Sequence, residues 1–256
     1  MNWVDAVILG IVEGVTEYLP VSSTGHLILA AKLLGLPQTE FMKTFEIAIQ
    51  IGAILAVVVF YRRTLMTEGE TLKRVLAAFL PTAVIGFLLY KVIKKFLFAG
   101  TLTVLWFLFL GGVILIIFDR CHREKKDALA TPGEIPFWKA AGIGLAQTLS
   151  VIPGVSRAAA TIVGAMAFGT SRKTAVEFSF LLAVPTLAAA TALDLFKNGG
   201  SLDLSQWQFL LIGSAVSFGV AMLTIRFFLR FVRNHGLTAF GLYRIGVALL
   251  FWGFVR

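Results

Sequence analysis

Glu13 and Glu17 stand four residues apart and share one face of a helix. Within the next nine residues come Pro20, Ser22, Ser23, Thr24 and His26. Two adjacent carboxylates either share a proton or bind a divalent cation. Joined to hydroxyls and an imidazole, they suit metal-assisted phosphoryl chemistry. The plainer alternative is a solvated helix end with an interfacial histidine. A second segment, Gln147 to Arg157, carries Pro153-Gly154-Val155-Ser156-Arg157. Glycine lets a backbone approach a ligand, a helix N-terminus attracts phosphate, and the arginine fork matches phosphate oxygens. Thr161, one turn beyond Arg157, offers another hydroxyl. The alternative here is an arginine snorkelling to a membrane surface.

Both segments interrupt apolar sequence. Of 256 residues, 58% are hydrophobic and only 14% charged, with a mean hydropathy of +0.87. A soluble domain has roughly a quarter of its residues charged, so the composition indicates an all-α integral membrane protein. Ionisable groups at that depth are costly, which makes both segments functional candidates. Six apolar runs predict transmembrane helices at 41–61, 75–93, 101–118, 174–196, 209–231 and 238–255. Two further regions, 4–34 and 137–168, each hold two arms too short to cross, around a Pro/Gly/Ser break. They predict re-entrant helical hairpins, tolerated only when buried in protein or lining a wet cavity.

The order hairpin, span, span, span then occurs twice, as a first repeat over 1–118 and a second over 137–256. Residues 119–136 form a polar connector, and all lie within a single membrane domain. Leu19-Pro20-Val21-Ser22-Ser23 faces Ile152-Pro153-Gly154-Val155-Ser156, and Lys43-Thr44-Phe45-Glu46 is echoed by Lys173 to Glu177. Three crossings per repeat reverse its orientation, giving an inverted-topology repeat. Fourteen of the 23 Lys and Arg lie in loops of one face and seven in those of the other. The richer face is expected to be cytoplasmic, leaving both termini and the mouth of the first hairpin outside. This placement accounts for the net charge of +9 without nucleic acid. Cys121 is the lone cysteine, so no disulfide framework exists, and no signal peptide is expected. Glu46, Gln50, Gln147 and Glu177 are read as structural support, the glutamates bracing the hairpins through backbone N–H groups. Arg244 is open to pairing with a carboxylate or a phosphate, and Asp194 is expected at an interface.

These residues resemble the bacterial undecaprenyl-diphosphate phosphatases, the bacitracin-resistance proteins. The likeness rests on Glu13 to His26, Thr44 to Gly52, Pro153 to Arg157 and Glu177 to Pro185. It implies hydrolysis of undecaprenyl diphosphate to undecaprenyl phosphate and phosphate, recycling the carrier of cell-wall synthesis, with a divalent metal, Mg²⁺ or Ca²⁺. Mapped onto this chain, it implies Glu13 and Glu17 as metal ligands and Glu17, Ser23, His26 and Arg157 as catalytic residues. Ser22, Thr24, Gly154, Ser156 and Thr161 become substrate contacts. Ser23 is expected as nucleophile with His26 as its base or acid partner, direct attack by water being the alternative. Many members follow the arginine with Ser-Gly, where this chain has Ala158-Ala159. Expected partners are the lipid diphosphate and membrane lipids, with a homodimer left open. A secondary carrier shares broken helices and midplane charge; the hydroxyl–histidine cluster beside paired carboxylates favours the enzyme.

Overall fold

The computed structural model describes residues 1–37, 39–88, 100–198 and 206–255. They form eleven α-helices: α1 (Trp3–Thr16), α2 (Ser23–Leu33), α3 (Glu40–Phe60), α4 (Arg62–Thr67), α5 (Gly69–Leu88), α6 (Gly100–Cys121), α7 (Phe137–Gln147), α8 (Arg157–Ala167), α9 (Arg172–Asn198), α10 (Trp207–Phe231) and α11 (Thr238–Val255). No strand occurs among the described residues; one isolated bridge joins Leu129 to Thr170. Short 3-10 turns at Pro132–Glu134 and Thr148–Val151 complete the set. The far end of the expected 75–93 span, and the Asp194 side chain, lie outside the described residues.

Local chemistry sets the helix ends. Asn2 and Asp5 form a reciprocal capping box at the start of α1. Pro20 stops continuation into α2, and Ser156 caps α8 by accepting from the Ala159 N–H at 3.2 Å. Helices α5, α6, α9 and α10 contain stretches long and apolar enough to cross a bilayer; α3, α8 and α11 contain shorter apolar stretches. On α6, Trp106, Leu110, Ile114 and Ile117 form an exposed stripe while Leu105, Leu108 and Leu115 are buried. An outward apolar stripe of that kind is stable facing lipid tails, not water. The expected 75–93 span begins earlier, at Gly69, because Glu70 pairs with Lys73 at 2.8 Å and with Arg74 on one helix face.

The packing has a regular pattern. The α1–α2 hairpin lies against α10, and the α7–α8 hairpin against α5. Helix α3 packs on α10 while α9 packs on α5; α3 meets α9, and α6 meets α11. Glycines permit the closest approaches: a Cβ on Gly10 would lie 2.6 Å from the Gly213 carbonyl of α10. The main core gathers Tyr18 and Val21 from the first break, Ala158 of α8, Phe178 and Phe180 of α9 and Phe228 of α10.

Candidate active site

Residues 17–22 and 152–156 break the two hairpins, and both breaks are built on a serine with positive φ. Ser22 has φ 74° and Ser156 φ 42°, the only non-glycine residues of that kind among those described. Such backbone is strained for an L-residue and marks segments that surrounding contacts hold in place. Each serine directly precedes a helix whose first residue is a functional candidate, Ser23 on α2 and Arg157 on α8.

Glu17 joins the two. Arg157 donates from Nε and Nη2 to Glu17 Oε1, at 3.2 and 3.1 Å, and from Nη2 to the Glu17 carbonyl at 3.4 Å. Ser23 donates its hydroxyl to the other carboxylate oxygen, Oε2, at 2.5 Å. The ion pair is shielded, with Arg157 and Glu17 side chains 8% and 4% exposed. Arg157 Nη1 donates to the Ser179 carbonyl of α9 at 2.9 Å. Tyr18 lies under the guanidinium, 5.9 Å from its ring centre, and is fixed by its own hydroxyl donating to the Ala53 carbonyl at 2.6 Å. Acid, hydroxyl and guanidinium from opposite halves of the chain thus share one buried cluster. Such a set can deprotonate a serine and hold phosphate oxygens.

Glu13 completes the acidic side. It is fully buried, neither carboxylate oxygen has a hydrogen-bond partner, and it lies close enough to Glu17, Glu46 and Arg157 to feel their charge. A buried carboxylate without donors has to be neutralised by a proton or a cation. Oxygen ligands of this kind fit Mg²⁺ or Ca²⁺. Among the described residues no three His, Cys, Asp or Glu side chains converge into a cage. A cation there would have only one or two carboxylates of the chain as ligands, a number that Mg²⁺ sites commonly use.

A model of the bacitracin resistance protein BacA family matches residues 6–250. The chain belongs to that family. Curated relatives named undecaprenyl-diphosphatase include one from Aquifex aeolicus, 52% identical over 249 residues and covering 97% of both chains. Another from Persephonella marina is 46% identical over the full length of both, and one from Thermus thermophilus is 44% identical over 96% of this chain and 95% of its own.

Several residues read from the sequence of this family member take different positions from those expected. His26 does not face Ser23. Its Nδ1 lies 2.8 Å from the Ser22 carbonyl and its Nε2 2.9 Å from the Tyr243 hydroxyl, with the two rings stacked. A carbonyl only accepts, so Nδ1 carries the proton and Nε2 accepts from tyrosine. Ser23 finds its proton acceptor in Glu17 instead. Thr161 is fully buried, and its hydroxyl is taken up by protein groups: it bonds the Arg157 carbonyl at 2.9 Å and Ser179 Oγ at 2.5 Å. The Ser156 hydroxyl is spent on capping α8. Gly154, with φ 95°, meets α6 so closely that a Cβ would lie 2.7 Å from the Val104 carbonyl. Ser22 is buried beside His26 and gives α2 no side-chain cap, while Thr24 is half-buried on the first turn.

The supporting residues divide. Gln147 is buried and donates to Thr82 and Thr186 at 3.0 and 3.1 Å, each the residue after a proline inside a helix, in α5 and α9. Glu46 sits near Glu13, with half-buried Gln50 one turn along. Glu177, expected to brace a hairpin, instead pairs with Lys173 of its own helix at 3.6 Å. Ala158 is fully buried and packs in the main core cluster. Sequence reasoning gave no role to Ser179, Tyr18 or Tyr243, although Tyr18 lies within the Glu13–His26 motif and Ser179 within Glu177–Pro185.

Proposed function

We propose that this multi-pass membrane protein hydrolyses undecaprenyl diphosphate to undecaprenyl phosphate and phosphate, returning the lipid carrier to cell-wall synthesis. Family membership supports the reaction, and the observation that carries the chemistry is the Ser23–Glu17–Arg157 cluster across the two breaks. Resistance to bacitracin follows from the family.

In the mechanism proposed, the diphosphate enters between the breaks and draws the Arg157 fork from Glu17 onto phosphate oxygens. Glu17 takes the Ser23 proton. Ser23 Oγ then attacks the terminal phosphorus, a new P–O bond forms, the bridging P–O bond breaks, and undecaprenyl phosphate leaves. Water hydrolyses the seryl phosphate, releasing phosphate and restoring the serine. The free N–H groups at the uncapped start of α2 add donors for the equatorial oxygens. A divalent cation held by Glu13, with Glu17 beside it, would neutralise charge on the diphosphate. Removing Arg157 is expected to slow release by about 10²–10³, the scale of one electrostatic donor.

The six-span, two-hairpin inverted repeat is the architecture we infer. Support comes from the exchange of partners between halves, α1 on α10 answering α7 on α5 and α3 on α10 answering α9 on α5. The paired positive-φ serines add to it. Loop charge favours an opening on the periplasmic face. Phosphate release from undecaprenyl diphosphate by purified protein, with Mg²⁺ and with EDTA, tests the reading. Release that EDTA abolishes is expected; no release with metal present refutes the reaction, and EDTA-insensitive release refutes the metal.

A further inference from the structure

We infer that Arg244 is a positioning residue that holds the two hairpin breaks in register, so that Ser23 and Arg157 meet. Its importance for turnover rests on the phosphatase reading above; its structural role does not. Arg244 lies in α11 and is only 1% exposed, the largest fully buried side chain among the described residues. Its guanidinium donates to the Pro20 carbonyl at 3.2 Å and to the Gly154 carbonyl at 2.7 Å, one from each break. Two further bonds reach the Leu108 and Phe107 carbonyls of α6 at 3.2 and 3.0 Å.

The register of these contacts is what assigns the role. Pro20 precedes Ser23 by three residues, and Gly154 precedes Arg157 by three. One side chain therefore fixes the origin of both functional helices at equivalent points. Breaks in a membrane helix leave carbonyls without donors, and those carbonyls must be satisfied inside the protein. A planar group with five N–H donors can serve several at once; an ammonium cannot do so in fixed directions. Space is reserved for it, since a Cβ at Gly111 of α6 would collide with the guanidinium. The neighbouring residue on α11, Tyr243, holds His26 of the first hairpin. Four of the five donors are committed to carbonyls, which sets Arg244 apart from Arg157 and leaves it unsuited to a phosphate.

The test combines rates with a distance. Arg244→Lys keeps the charge and is expected to lower kcat about 10²-fold, the cost of a small misplacement of reacting groups, with KM little changed. Gly111→Ala, which touches neither substrate nor reacting groups, should lower kcat in the same way. It should add little in the Arg244→Lys background, where the slimmer side chain removes the collision. Nitroxide labels at Leu19→Cys and Ile152→Cys, in a Cys121→Ser background, read the separation of the breaks by electron paramagnetic resonance. A narrow distribution with Arg244 that broadens in Arg244→Lys and in Gly111→Ala is expected. Unchanged kcat with an unchanged distribution overturns the proposal. Lost kcat with an unchanged distribution overturns it too, assigning Arg244 to the substrate. Should the parent protein release no phosphate, the phosphatase reading fails while the distances still decide the role of Arg244.

Discussion

Glu17→Gln separates the two duties of Glu17 more sharply than any other single change. The substitution keeps shape and removes charge. In the native protein one carboxylate oxygen receives two N–H groups of Arg157 and the other receives the Ser23 hydroxyl. With both side chains under a tenth exposed, water screens the pair little. Removing one partner of a buried pair costs about 3–5 kcal/mol. Glutamine retains an acceptor for the guanidinium, which places the loss near the lower end, about 3 kcal/mol. At about 2–4 °C per kcal/mol for a chain of this size, the melting temperature falls by roughly 6–12 °C. Turnover falls further, by about 10²–10⁴, because the amide cannot accept the serine proton. The double variant Glu17→Gln, Arg157→Met resolves the two effects. Replacing both charges by neutral groups of similar size removes the unpaired cation, so melting recovers towards that of the parent while phosphate release stays lost. Thermal unfolding in detergent and phosphate release from undecaprenyl diphosphate measure the two quantities on the same samples. A Glu17→Gln protein that melts with the parent, or turns over at its rate, would refute the assignment of Glu17 as both counter-ion and base.

Other expectations follow from single residues. Ser23→Ala should abolish both phosphate release and any acid-stable phosphoserine trapped from labelled substrate; normal release by this variant means that water attacks directly. Glu13→Gln removes a buried charge that has no donors, so stability holds or rises while Mg²⁺ activation of phosphate release moves to higher concentration; an unmoved titration removes Glu13 from the metal. Ala158→Ser should leave turnover unchanged, because the side chain faces the core, and a clear gain in rate would place that hydroxyl in the site. Gly154→Ala forces a Cβ against the Val104 carbonyl at a φ of 95°, which costs about 1–2 kcal/mol in backbone alone and should lower the melting temperature in the same detergent assay.

The two helix breaks were legible because Pro, Gly and Ser cluster between apolar arms, whereas a lone proline, as Pro81 in α5 or Pro185 in α9, stays inside a continuous helix. Element ends were less so. Gly69–Arg74 reads as a charged loop, yet Glu70, Lys73 and Arg74 lie on one face and satisfy each other, so the helix starts a turn and a half before the apolar run. In the site, residue types pointed to Glu17, Ser23 and Arg157, but not to who bonds whom. The 3.6-residue period places Thr161 beside Arg157; its hydroxyl nevertheless turns back to the Arg157 carbonyl, a competition open to any helical threonine. His26 follows Ser23 by about one turn, yet its ring is held by the Ser22 carbonyl and Tyr243 while Ser23 bonds Glu17, a choice that spacing alone does not report.

Arg244 was the hardest residue to read, for a physical reason. An arginine that pairs with acids can be sought among acids, whereas one that serves carbonyls has partners identical at every position of the chain. Two buried arginines consequently divide the work at these breaks. Arg157 faces a carboxylate, a partner that an incoming dianionic phosphate can displace, and so remains available to a substrate. Arg244 faces four neutral dipoles fixed in backbone, and its loss would strip the Pro20 and Gly154 carbonyls, which lie outside any helix, of the donor they share. The same functional group is exchangeable in one setting and permanent in the other, and the difference lies in the acceptors.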